Sequence, residues 1–131
     1  MTRSRGSTTV ESVLLVPVLF MLLFFVMAAG RLAEARVSVR AAADVAARAG
    51  SLVSRSRVES TVDASAYSTL GQRGVCSRVD AASTLRAERG FKFVDVLVSC
   101  RLSLDGATGF LVGGRTLTAS SREVIDVFTY R

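Results

Sequence analysis

Residues 12–30 read SVLLVPVLFMLLFFVMAAG, a run of nineteen residues without a charged side chain, bounded by Glu11 and Arg31. As an α-helix this run would be about 28 Å long, close to the ~30 Å hydrocarbon thickness of a bilayer. It has no polar face, which a surface helix of a soluble protein needs on the side toward water. The run therefore predicts one transmembrane segment over 12–30.

Basic residues flank this segment on both sides and bear on its orientation. Arg3 and Arg5 precede it, while Arg31, Arg36 and Arg40 follow it. A short, positively charged N-terminus is retained in the cytoplasm more easily than it is translocated. We therefore expect a single-pass protein with its N-terminus in the cytoplasm and its C-terminal part outside.

Composition narrows the classes of function. The 131 residues carry 17 basic and 11 acidic side chains, and the net charge is +6 with Lys92 as the only lysine. The arginines are scattered, without a dense basic run or interleaved aromatic residues that would stack on bases. A solvated surface is the favoured interpretation, and a nucleic-acid partner is not expected.

The chain contains no histidine. This absence excludes Ser-His-Asp and Cys-His catalytic arrangements and every zinc site that includes histidine. No paired carboxylates and no phosphate-binding glycine loop are visible either. We therefore expect no catalytic residues, no cofactor and no metal, and a protein that is not an enzyme.

The helix is predicted to continue beyond the membrane segment. Residues 31–48 are good helix formers, no helix stop precedes Gly50, and the apolar ones tend to one side: Leu32, Ala35, Val39, Ala42, Ala43 and Ala46. We therefore predict one helix over 7–50, whose small alanine side chains permit close packing. Pro17 lies inside it and removes one hydrogen bond, so it is either a kink that helps packing or a tolerated membrane proline.

The remainder, 51–131, is predicted to form a small exported domain. Apolar residues at helical spacing predict a helix near 57–71, which Gly71 and Gly74 end. Alternation from Val94 to Leu104 predicts a strand over 91–104, with further strands over 75–85 and 115–130. The fold class is therefore α+β: a long N-terminal helix, transmembrane in its first half, packed with a small antiparallel sheet.

Cys76 and Cys100 are expected to form a disulfide, because the region that contains them is predicted to be exported. If a turn of five residues, 86–90, joins the first two strands, the two cysteines lie directly opposite each other. The alternative is a pair of free thiols.

Glu11 is unusual because its carboxylate stands where the apolar run begins. A charge costs about 2.5–3.5 kcal/mol at the centre of a membrane helix and less near the interface. Cleavage after Gly6 would make Ser7 a new N-terminus, whose ammonium group would lie one helical turn from Glu11. The alternative is a glutamate solvated by lipid headgroups.

The string from Arg5 to Glu11, RGSTTVE, followed at once by an apolar run, resembles the processing motif of type IV prepilins. The proline six residues after Glu11, the Gly30-Arg31 pair and the alanine-rich 41–50 segment make it similar to TadE-like minor pilins of Tad (Flp) pili. The resemblance implies a bacterial protein in the cytoplasmic membrane whose leader, residues 1–6, is cut between Gly6 and Ser7 by a prepilin peptidase.

The resemblance also implies a role and partners. The chain would be a minor pilin or pseudopilin of a Tad-type pilus or secretion filament, with Glu11 setting the register between subunits. Its partners would be other pilin subunits, an inner-membrane assembly platform with its ATPase, and membrane lipid.

Two other interpretations remain open at the level of sequence. The chain could be a membrane-anchored envelope binding domain without a filament. It could also be a secreted binding protein, because residues 28–30 are small, as signal peptidase requires. Against secretion, the apolar run exceeds the usual ~7–15 residues of a signal peptide.

N-terminal sequencing of the protein purified from its native membrane distinguishes these three cases. We expect the mature chain to begin at Ser7. A chain that begins at Met1 or Thr2 would indicate a plain anchor, and one that begins near Arg31 would indicate secretion.

Overall fold

The structure, a computed structural model, describes residues 7–72, 74–103 and 114–125, with side chains from Val13 onward. Helix α1 spans Ser7–Ser51, a short 3-10 turn spans Arg55–Arg57, and helix α2 spans Val58–Gly71. Strands β1 (Cys76–Glu88), β2 (Phe91–Leu102) and β3 (Thr116–Val124) form one antiparallel sheet in the order β1-β2-β3. The predicted α+β class is confirmed.

Several predicted boundaries fall outside the described residues. The proposed leader, 1–6, is among them, as are the end of the second predicted strand at Leu104 and the end of the third at Tyr130. Where both can be compared, α1 ends one residue later than predicted and α2 begins one residue later. The first strand is longer than the predicted 75–85 and continues to Glu88.

Both helices cover the same face of the sheet. α1 lies over β2 and β3, and α2 lies over β1. The core joins small residues of α1, one side of α2 and alternate residues of β2, which include Val94, Val96, Val98 and Cys100. Burying one valine fully contributes about 1.5–3 kcal/mol, so this alternation fixes which face of β2 meets the helices.

The strands run along α1, and this gives the domain two ends. At the far end, Gly50 of α1 packs near Val94 of β2. Toward the apolar run, Arg36 and Arg40 of α1 line one surface depression with Leu117 and Thr118 of β3. The β1–β2 turn therefore lies at the far end, and Cys76, Leu102 and Thr116 lie at the end closer to residue 30, which we call the near end.

The predicted register of the β1–β2 hairpin is wrong. Cys100 lies opposite Val79, three residues further along the chain than Cys76. The cause is the turn, which consists of Arg89 and Gly90 at φ 50° and 85°. Two residues of positive φ match the right-handed twist of a hairpin, so β1 extends to Glu88 instead of ending near Leu85.

The observed register also places residues on the correct faces. Val79, Ala81 and Leu85 now lie opposite buried β2 residues. Arg78 and Asp80, which the predicted register set against buried valines, are exposed and form an ion pair with each other at 3.2 Å. The shift therefore removes the conflict of charged residues on the core face.

Gly50 allows α1, α2 and the sheet to meet closely. It is buried inside the last turn of α1. A Cβ atom at this position would lie 2.9 Å from Cγ2 of Val62 and 3.6 Å from side-chain atoms of Val58 and Val94. Since 2.9 Å is shorter than a van der Waals contact between carbon atoms, a side chain here would push α2 away from α1.

We expect Gly50→Ala to destabilise the domain by about 1–3 kcal/mol, because overpacking outweighs the gain of up to ~1 kcal/mol from replacing a helical glycine. The measurement is amide hydrogen exchange of Val96 and Val98 in the full chain in detergent micelles. The matched control is Gly30→Ala, also in α1, where no atom lies within 4 Å of the added Cβ. Equal exchange rates in both variants would contradict the packing role of Gly50.

Candidate assembly site

The first half of α1 exposes apolar side chains on all sides. From Val13 to Met27, exposure of the large apolar residues runs from 47 % at Phe24 to 77 % at Met21. In the part of the chain that the structure describes, this is the one helix long and apolar enough to cross a membrane. Such a surface is not stable in water, so the helix requires a bilayer or the apolar surfaces of other helices around it.

The residues of the predicted processing site lie at the beginning of this helix. α1 begins at Ser7, and Glu11 follows within the helix. Residues four apart lie on the same side of an α-helix, one turn from each other. Gly6 lies outside the described residues, and the position of the Glu11 side chain does too, so cleavage between Gly6 and Ser7 and the role of Glu11 stay predictions.

Pro17 lies within α1, which is assigned as one helix from Ser7 to Ser51. Proline has no backbone N–H, so the carbonyl of Val13 lacks its usual helical donor. The helix continues on both sides of this gap.

The disulfide joins Cys76 to Cys100, with 5.5 Å between their Cα atoms. The predicted pair is therefore present, although the predicted register is not. Cys76 lies opposite Leu102, and an irregularity between Cys76 and Arg78 brings it diagonally toward Cys100. The bond ties the beginning of β1 to the end of β2 at the near end of the domain, where Cys100 is fully buried.

The face of the sheet away from the helices carries a charge cluster. Arg122 of β3 donates hydrogen bonds to both carboxylate oxygens of Asp95 on β2, and Arg86 of β1 lies 3.2 Å from the same carboxylate. The Arg122 guanidinium also stands over the ring of Phe93, 5.6 Å from its centroid. The bond and charge of Asp95 raise the pKa of Arg122 further above its usual value, so Arg122 remains charged at any physiological pH.

Sequence reasoning did not find this cluster. Its members are far apart in the chain and meet only because Asp95 pairs with Arg122 across β2 and β3. The alternation along β2 does indicate one member: Asp95 interrupts a row of valines, so its side chain must lie on the opposite face of the sheet. Exposed ion pairs contribute little, about 0–1 kcal/mol each, so the cluster adds little to the stability of the sheet.

The outer half of α1 has an exposed side with apolar residues. Val37 and Val45 are 70 % and 50 % exposed, on the side opposite the buried alanines, and Leu52, just after the end of the helix, is 62 % exposed. With Ala33 and Ala41 they extend the apolar surface of the membrane segment along the helix. Among the described residues, no group of three His, Cys, Asp or Glu is placed to hold a metal ion. The chemistry that this surface offers is contact with other apolar surfaces.

Comparison with known protein families gives one match. The family described as TadE-like protein matches residues 6–48. That range covers the predicted processing site, the apolar run and most of the outer half of α1, and it confirms the resemblance found in the sequence. No curated protein and no solved structure matches the chain.

We expect alkylation under non-reducing conditions to modify neither cysteine of the exported protein. Reduction should expose two thiols. The bridge closes a loop of 24 residues, so a Cys76→Ser, Cys100→Ser double variant should lose about 3 kcal/mol of unfolding free energy. Denaturant titration followed by hydrogen exchange in β2 measures this loss, and a variant as stable as the parent would contradict it.

Proposed function

We propose that this chain, whose residues 6–48 match the TadE-like family, is a minor pilin or pseudopilin of a Tad-type filament. The family is associated with pili and is structural, not enzymatic. The finer statement, that the chain is processed and enters a pilus or secretion filament, is our proposal. In it the protein acts by assembly and carries out no reaction.

The observation that carries the proposal is the double use of α1. Its first half exposes apolar side chains on every side, and its second half supplies buried residues of the domain core, including Ala42, Ala43 and Ala46. The domain is therefore fixed to the membrane segment by a continuous helix. If the domain moves away from the membrane, the apolar segment leaves the bilayer with it. This is possible only if other helices replace the lipid around the segment.

Glu11 supplies the registration in this proposal. A carboxylate that leaves the headgroup region for the interior of a helical bundle needs a positive partner, because an unpaired buried charge is strongly unfavourable. Cleavage after Gly6 provides such a partner, the ammonium group of Ser7. When that group belongs to an adjacent subunit, pairing occurs at one axial offset only, and the offset becomes the step between subunits.

The exposed side of the outer half of α1 extends the contact outside the membrane. Val37 and Val45 lie on that side and are at least half exposed, and the exposed Leu52 directly follows the helix. Charged residues interrupt the stripe, Arg40 and Asp44 among them. The proposed neighbour is the equivalent helix of another pilin subunit, against which apolar and charged positions alternate.

The other proposed partners follow from the same role. A prepilin peptidase would cut at Gly6 and Ser7, and an inner-membrane platform with its ATPase would lift the processed subunit from the bilayer. The N-terminus would remain in the cytoplasm until cleavage, with the disulfide-bonded domain outside. These partners belong to the proposal as a set, because each acts on a different stage of one assembly.

A second candidate is a single-pass anchored domain that binds a ligand without a filament. The observation that favours it is the open face of the sheet, where Ala82, Thr84, Leu97 and Ser120 line a depression beside the Arg122 cluster. This candidate differs from the first in its prediction for Glu11, because an anchored domain does not need an ion pair between Glu11 and an N-terminus made by cleavage.

We expect Glu11→Gln to leave membrane insertion intact and to reduce recovery of the protein in sheared filaments at least tenfold. The amide keeps the size of the side chain and removes the charge that pairs with the Ser7 amine. The measurement compares membrane and filament fractions from the native host by immunoblotting. Glu34→Gln is the matched control, since Glu34 is an exposed acid on the same helix beyond the apolar run.

Two outcomes decide between the candidates. If Glu11→Gln enters filaments like the parent, the registration role is wrong. If the parent itself stays in the membrane with Met1 intact while its peptidase is active, the anchored domain is the correct function.

A further inference from the structure

We propose that the near end of the domain binds anionic phospholipid headgroups through five arginines that the fold brings together. They are Arg31 and Arg36 of α1, Arg78 of β1, Arg101 of β2, and Arg115, which directly precedes β3. We call them the near-end arginines. The inference rests on the membrane insertion of α1 in the proposed function, and adds a lipid preference to it.

The fold gathers these arginines at the near end of the domain. Thr118 of β3 shares a surface depression with Arg36 and Arg40. Arg115 stands three residues before Thr118, so it lies about 10 Å closer to the membrane segment, a drop that equals about seven residues of helix. This places Arg115 near the level of Arg31, where the apolar run ends.

β2 ends and β1 begins at the same level. The N–H of Leu102 donates to the carbonyl of Arg115 at 2.9 Å, and Arg101 pairs with Thr116. Arg78 lies directly opposite Arg101 on the next strand. Leu32 packs against the core, which confirms that the domain reaches the end of the apolar run. The near-end arginines therefore lie at the height of the headgroups when α1 crosses a bilayer.

Their charges are poorly compensated within the chain. Arg78 and Arg101 face each other across two antiparallel strands, a pairing of like charges that is unfavourable. In the described part of the chain, Arg78 alone among the five has an ion-pair partner, Asp80, and both of these side chains are largely exposed. The other four arginines are exposed as well.

The far part of the sheet is organised differently. There Arg86 and Arg122 share Asp95, and Arg122 also lies 3.9 Å from Glu88. Away from the membrane, Arg86 and Arg122 of the sheet are thus paired with acids. Toward the membrane, Arg78 has Asp80, and Arg101 has no ion-pair partner among the described residues. This asymmetry indicates an external anion at the near end.

A planar surface fits the arrangement better than a compact ligand. The near-end arginines are distributed from α1, which lies over β2 and β3, to the edge strand β1. A small anion can contact only neighbours such as Arg78 and Arg101. A leaflet perpendicular to α1 meets all five, and guanidinium groups bind lipid phosphates through paired hydrogen bonds.

The test measures lipid selectivity of the full chain in bilayers of phosphatidylcholine, with and without phosphatidylglycerol. Electron spin resonance of spin-labelled lipids reports which lipid is retained beside the protein. We expect the parent to prefer phosphatidylglycerol by about tenfold, since each basic residue at the surface adds up to about fivefold. In high salt this preference should largely disappear.

The decisive variant is Arg78→Gln, Arg101→Gln, Arg115→Gln, for which we expect the preference to fall to about twofold. Its matched control, Arg48→Gln, Arg55→Gln, Arg89→Gln, removes the same charge from the far end and should keep the preference of the parent. An equal loss in both variants would show that net charge, not position, is responsible, and would overturn the proposal.

Four further outcomes are informative. An unchanged preference in the near-end variant overturns the proposal. A near-end variant that keeps its lipid preference but no longer enters filaments assigns the arginines to a neighbouring subunit instead. If the parent inserts into neither bilayer, the anchoring in the proposed function fails; if it inserts equally in both without selectivity, only this inference fails.

Discussion

The structure depends on one constraint: α1 carries both the candidate membrane segment and part of the domain core. The large apolar side chains of its first half are exposed in the described chain, while residues such as Val39 and Ala46 in its second half are almost fully buried. Small alanine side chains allow the sheet and α2 to approach it closely, and Gly50 allows the closest approach. The domain has no core without α1, so every property of the domain is tied to how α1 is placed.

Much of this architecture could be predicted from the sequence, because it rests on strong periodicity. The uncharged run fixes the membrane segment, the spacing of Val58, Val62, Ala66 and Leu70 fixes the buried side of α2, and alternation in β2 fixes its inner face. The exposed Leu97, an exception to that alternation, lies on the outer face as its position requires. Each of these is a local pattern of apolar and polar residues, and it follows from which side of the helix or strand faces solvent.

What could not be predicted depends on one turn. The positive φ values of Arg89 and Gly90 shorten the hairpin loop, and this moves the β1–β2 pairs from Arg78 to Glu88 by three positions and that of Cys76 by two. The juxtaposition of Arg78 with Arg101 follows from that register, whereas Asp95 and Arg122 meet through the pairing of β2 with β3. Arginines that are scattered in the sequence therefore become neighbours only in the fold, and the basic surface was missed for this reason.

The direction of the strands has a mechanical consequence. β1, β2 and β3 run along α1, and β3 points the same way as the helix. A pull along the helix axis therefore loads the hydrogen bonds between strands in shear, so that many must break together instead of one after another. The Cys76–Cys100 bridge fastens two of these strands at the near end. This arrangement would resist tension along the helix axis.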